Sequence, residues 1–170
     1  SGLPQNNRVG DLDSFAVPFV MRTLGLSLDE AERQLCKESG LKSISGISND
    51  VRDVQAAAAQ GNADAKLALD TFVASARHWI GSYCFQLNGA DALVFTAGIG
   101  ENSPSMRARI VEKLGWLGAV LDAEANAASA MSIAKPASRV GIYVLPTDEE
   151  LMIARHTLAL LAARGGKAKA

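Results

Sequence analysis

What the sequence has little of narrows its chemistry first. It holds only two cysteines, Cys36 and Cys84, each in a segment that reads as helix, with neither metal-ligand spacing nor a nearby histidine. That argues against a zinc site and leaves reduced thiols in or near a core, as in a cytosolic protein. Histidine is as scarce: His78 and His156 sit at helical positions beside Arg77 and Arg155, and read as surface or boundary residues rather than catalysts. Neither sign of charge dominates. Lysine plus arginine number 17 against 18 aspartate plus glutamate, a net charge of −1, so no large field draws nucleic acid or an anionic membrane. Partners are expected to be small molecules or protein. No apolar run approaches the ~18 residues of a membrane span, and the first residues lack a basic-then-apolar leader pattern. The expected compartment is the cytoplasm. The chain opens at Ser1 with no initiator methionine and reads as a cut end.

What is present is apolar enough to fold: 48% of the 170 residues are hydrophobic, sufficient for the core of one domain. Ser14 or Asp13 suits the cap of a helix that would bury Phe15, Phe19, Val20 and Leu24 and stop at Gly25. Ser27 with Glu30 forms a capping box, opening a helix with Leu28, Ala31 and Leu35 on one side and ending at Gly40. Ser43 to Asp50 is small, polar and glycine-containing, hence a loop. A short helix follows from Val51 to Gln60. After the break at Gly61-Asn62, Leu69, Phe72, Val73, Ala76, Ile80, Tyr83, Cys84 and Leu87 recur at helical spacing, the longest helix. Trp79 and Trp116 read as packing residues.

Ala92 to Thr96 is a nearly continuous apolar run, expected as a strand buried on both faces. A glycine turn then leads to Ser103-Pro104, suited to the N-cap and first position of a helix with Met106, Ile110, Val111 and Leu114 inward and Arg107, Arg109, Glu112 and Lys113 outward. A helix over 123–130, a second buried strand over 139–145 and a last helix from Asp148, using Leu151, Ile153, Ala154, Leu158 and Leu161, complete the chain. The tail after Arg164 should fray. Helix far exceeds strand: the organisation is α/β with too few strands for a full sheet.

Four segments could carry chemistry. Phe95 to Ser103 places two glycines between a strand and a helix start, where backbone amides can approach an anion or a sugar, though a plain tight turn has the same pattern. In Ser48 to Asp53, carboxylates, an amide and a guanidinium gather at a helix start; the same residues serve as a cap and a solvated face. Arg8, with Asp11 and Asp13 around Gly10, suits a phosphoryl group or a charged surface turn. Pro146 to Glu150 sets acids beyond a strand's carboxyl end, fitting Mg²⁺ or merely the macrodipole of the helix that follows.

In this order the segments resemble the carboxy-terminal part of the acetate kinases and the related propionate kinases. FTAGIGENS (95–103) looks like the family's adenosine-binding loop, SGISNDVRD (45–53) resembles its second nucleotide motif, and PTDEELMIA from Pro146 its closing acidic motif. The pattern from Gly61-Asn62 through Gly89-Ala90-Asp91-Ala92 also matches, so the resemblance covers nearly the whole chain. It implies that Arg8 stabilises the transition state, that Asp50, Val51 and Arg52 lie beside the nucleotide, and that Gly98, Ile99, Gly100, Glu101 and Asn102 hold its adenosine side. Glu149 would contribute to a Mg²⁺ site.

The implied reaction moves the γ-phosphoryl group of ATP to a carboxylate oxygen of acetate or propionate, reversibly, giving an acyl phosphate. The implied fold is ribonuclease H-like, shared with actin, sugar kinases and heat-shock ATPases, in a homodimer joined through its carboxy-terminal domains. Residues 1–164 would form a partial nucleotide-binding domain, with 165–170 a flexible tail. The family's Asn-x-Gly-Ser-Ser-Ser turn, its catalytic aspartate, and the first arginine and histidine of its phosphate site have no counterpart here, so the isolated chain is expected to be inactive. Around Arg8 the family's Gly-Thr-Arg-Ser-Gly-Asp pattern becomes Asn6-Asn7-Arg8-Val9-Gly10-Asp11, and Ser14 replaces a proline, which leaves the acyl preference open. Two rival readings stand beside this one: a non-catalytic nucleotide-binding or dimerisation module, and a butyrate or sugar kinase.

Overall fold

A computed structural model describes residues 2–165; most of the tail expected to be flexible lies outside them. Five helices come first: α1 (Ala16–Leu24), α2 (Leu28–Lys37), α3 (Gly40–Ser45), α4 (Val51–Ala59) and α5 (Ala63–Gln86). Then follow β1 (Ala92–Phe95), α6 (Ala97–Asn102), α7 (Pro104–Val111), α8 (Ala123–Ala127), β2 (Gly141–Val144) and α9 (Glu149–Gly165). The strands pair in parallel, Ala92 opposite Gly141 and Phe95 opposite Val144. Such pairing needs a long crossover, here supplied by α6 to α8.

Local chemistry sets most helix ends. Ser27 and Glu30 make both bonds of the capping box, with the Ser27 N–H donating to Glu30 Oε2 at 2.8 Å. Gly25 ends α1 at φ 67°, a left-handed conformation that glycine adopts without penalty. Asn62 accepts from the Ala65 N–H at 2.9 Å and opens α5. The expected loop over 43–50 is shorter than its composition suggested, because Ser43 to Ser45 finish α3. That helix forms because Leu41 is fully buried and Ile44 packs on the core.

The core lies along α5. Leu41 of α3 and Val51 and Val54 of α4 meet Ala65, Ala68, Leu69 and Phe72 of α5, and Met106 and Ile110 of α7 continue the cluster toward Ile142 of β2. Ala65 and Ala68 are small, so the neighbouring helices approach closely.

Several burial expectations are overturned. Phe15, just before α1, and Phe19, Val20 and Leu24 of α1 are exposed, Phe15 by 81%. Leu151, Ile153, Leu158 and Leu161 of α9 are exposed too. An apolar face shows that a helix seeks cover, and among the described residues these side chains find none, although Ala16, Val17 and Met21 of α1 are half-buried. Strand β1 is not buried on both faces: Ala92 and Val94 are open and only Phe95 is buried. Tyr83, Leu87 and Trp116 are also exposed. Arg107, expected outward, is fully buried. Cys84 is buried and Cys36 exposed, while both histidines lie at the surface, as read.

Candidate functional site

The site is built where α4 begins and α6 follows β1. Asp50 caps α4: its Oδ1 accepts the Arg52 N–H at 2.9 Å, and both carboxylate oxygens take the Arg52 guanidinium, Nε at 3.0 and 3.1 Å and Nη2 at 2.5 Å. The side-chain bond from Arg52, and then the backbone one, hold the Asp50 carboxyl down at about 2. Asp50 is thus a carboxylate at neutral pH, neutralised by a neighbour whose other face is open to solvent.

Beyond β1 the chain bends sharply. Ala97 lies at φ 58°, a left-handed conformation that a side chain disfavours. The expected glycine turn is a short helix: Ala97 to Asn102 form α6. Glu101 Oε1 accepts the Ala97 N–H at 2.7 Å, the Thr147 N–H at 3.1 Å and the Thr147 hydroxyl at 3.2 Å. Its carboxylate therefore ties the start of α6 to the Pro146 segment. Ser103 stands at the cap position of α7 without making the side-chain cap bond. Instead Gln55 of α4 donates to Ser103 Oγ at 3.1 Å and Ser105 Oγ at 2.6 Å, drawing α4 and α7 together.

The outcome is a hollow of about 420 Å³ with Asp50, Val51 and Arg52 on one wall and Gly98, Ile99 and Asn102 on the other, closed by Asn6, Asn49 and Ser103. It shares Gly98, Ile99 and Asn6 with a larger, mostly apolar hollow of about 650 Å³ that is also lined by Gly100, Trp79, Leu93 and Arg107. A Cβ on Gly98 would meet nothing within 4 Å, whereas one on Gly100 would press on the Phe95 backbone at 3.2 Å. Asn6 is delivered by a strap: the Leu41 N–H donates to Gln5 O at 2.9 Å and the Lys42 N–H to Asn6 O at 3.0 Å.

Seven of the ten residues singled out in the sequence line one hollow or the other. The other three do not: Glu101 is occupied with backbone and Thr147, while Arg8 and Glu149 are exposed. Among the described residues no three His, Cys, Asp or Glu side chains converge on a metal position. Mg²⁺ uses one or two carboxylates completed by water and phosphate oxygens, so Glu149 alone fits that donor chemistry. The structure adds Asn6 and Ser103 to the lining beside Asn49, the amide of the 48–53 segment. Ser103 ends the 95–103 segment, whereas Gln55, at the start of an alanine run, carries no signal in the sequence.

A model of the acetokinase family matches residues 1–155. The chain belongs to the acetokinase family. It is 48% identical over 162 residues to the acetate kinase of Treponema denticola, covering 94% of this chain and 41% of that protein. The crystal structure of Porphyromonas gingivalis acetate kinase superposes with a TM-score of 0.86 at 35% identity, covering 95% of this chain and 41% of that one. A propionate kinase structure from Francisella tularensis subsp. tularensis SCHU S4 superposes at 0.83 with 40% identity, over 91% of this chain and 40% of that one. The chain thus spans about two-fifths of the length of the family members it matches. Among the described residues no helix is long and apolar enough to cross a membrane.

Proposed function

We propose that the full-length protein phosphorylates a short-chain carboxylate, acetate or propionate, with ATP, and that this chain supplies the adenosine side of the site and the transition-state arginine. The observation that carries the reading is the hollow between α4 and α6, where two motifs far apart in sequence face each other. The carboxylate oxygen attacks the γ-phosphorus, the bond to the β–γ bridging oxygen breaks, and ADP leaves with that electron pair. Such transfer depends on alignment and on neutralising charge over the equatorial oxygens. Arg8 presents a planar, permanently charged fork suited to those oxygens. When bound, Mg²⁺ would neutralise phosphate charge, and Glu149 would be its ligand from this chain. The Glu101–Thr147 contact keeps the segment leading to Glu149 beside α6.

The parallel β1–β2 pair with its helical crossover fits a ribonuclease H-like domain, of which residues 1–164 would be the carboxy-terminal part. We place the protein in the cytoplasm, as a homodimer. The test is a coupled assay of the full-length protein with acetate, propionate and butyrate, alongside Arg8→Ala. Turnover by the variant should fall about 10²–10³-fold, the usual effect of removing one transition-state donor, with its melting temperature unchanged. Turnover equal to wild type would overturn the role of Arg8, and absence of ATP-dependent turnover in wild type would overturn the whole reading.

A further inference from the structure

Arg107 is the largest fully buried side chain among the described residues, and no carboxylate there pairs with it. An unpaired buried cation is costly unless every donor is satisfied. Here all five are. Nε donates to Asn126 Oδ1 at 2.7 Å, Nη1 to the Gly100 and Glu101 carbonyls at 2.8 Å each, and Nη2 to Asn126 O at 2.8 Å and Ser129 Oγ at 3.0 Å. Burial pushes the guanidinium below its usual range, yet arginine stays charged at any working pH.

The placement of those acceptors gives the arrangement its meaning. Gly100 and Glu101 lie in the last turn of α6, whose carbonyls have no donor further along the same helix. A cation there complements the negative end of the helix. With six residues α6 is too short to hold itself together, so its position depends on what grips its ends. Glu101 grips the first end and Arg107 the last. Arg107 is anchored in turn to α8 through Asn126, whose Nδ2 donates to Pro104 O at 2.9 Å.

We propose that Arg107 is a positioning residue for nucleotide binding, holding the Gly98–Asn102 wall at its spacing from α4; it borders the larger, mostly apolar hollow but not the smaller one between α4 and α6. This rests on the nucleotide reading above. In the full-length protein, Arg107→Lys replaces five donors by three and so loses at least two charge-assisted bonds; it is expected to raise KM for ATP at least roughly tenfold and to leave KM for acetate within about twofold. Deuterium uptake at residues 98–102, measured without nucleotide, should rise while uptake along α5 stays as in wild type. Both changes are required. Equal losses at the two substrates, exchange rising throughout the chain, or no change at 98–102 would each overturn the inference. Should Arg107→Lys not fold, Asn126→Ala removes the Nε acceptor and the Pro104 tie and is read in the same way. If wild type has no ATP-dependent turnover, the functional reading falls, and the exchange experiment still decides whether Arg107 holds α6.

Discussion

At the residue scale the site is governed by who satisfies whom. Asp50 is at once the cap of α4 and the partner of Arg52, and the two roles can be separated. Asparagine caps a helix about as well as aspartate but cannot form the ion pair. Because the folded Asp50 carboxyl titrates at about 2 against 3.8 for the free group, its stabilisation is complete above 3.8 and lost as the pH falls toward about 2. The denaturation midpoint of Asp50→Asn should therefore lie slightly below wild type from pH 7 to about 4 and converge with it on further acidification. The pair is exposed, so salt should narrow the gap. A gap that widened below pH 4 would contradict the assignment. Glu101 makes the complementary point. The resemblance implies that it holds the adenosine side, and its carboxylate accepts from the Ala97 N–H and from the N–H and hydroxyl of Thr147, tying the start of α6 to the segment before α9.

At the element scale the contrast lies between helices that define themselves and one that its surroundings define. Helix α2 carries its own capping box, and α5 its own asparagine cap. Helix α6 starts at a left-handed alanine, contains Gly98 and Gly100, is closed at its first end by its own Glu101, which Thr147 holds, and is gripped at its last end by Arg107 of α7. Glycine is less favourable than alanine inside a helix by about 1 kcal/mol, and a Cβ at Gly98 has room. Gly98→Ala should therefore stabilise the protein by up to about 1 kcal/mol while intruding on the hollow where nucleotide is proposed to bind. The expected result is a raised unfolding midpoint together with weaker ATP binding by calorimetry. Unimpaired binding would remove Gly98 from the nucleotide wall.

At the scale of the whole molecule the uncovered apolar faces stand out. Phe15 at the cap of α1, Phe19 and Leu24 on α1, and Ile153, Leu158 and Leu161 on α9 are exposed in the described chain, a concentration of the kind found at contact surfaces. Under the homodimer reading, α1 meets a second copy. Phe19→Asp in the full-length protein should then lower the mass seen by light scattering from two chains to one, with the circular dichroism spectrum retained. An undiminished dimer would assign α1 to another contact.

The sequence alone determined what neighbours along the chain decide. The capping box at Ser27, the stop at Gly25, the long helix after Asn62 and the strand–helix units at 92–111 and 141–165 rest on contacts within one turn or on a short apolar run, and so does family membership through its motifs. Tertiary structure decided the rest. It buried Arg107 where its charged neighbourhood suggested solvent, left Phe19 and Leu24 of α1 and Ile153 and Leu158 of α9 exposed among the described residues despite their apolar character, and diverted the Ser103 hydroxyl from its cap to Gln55. Helical periodicity reports that a face is apolar and cannot report which surface meets it. The meeting of Asp50 and Arg52 with Gly98 and Asn102 belongs to this second kind, because it depends on how α4 and α7 pack against α5, a distance between elements that no local pattern encodes.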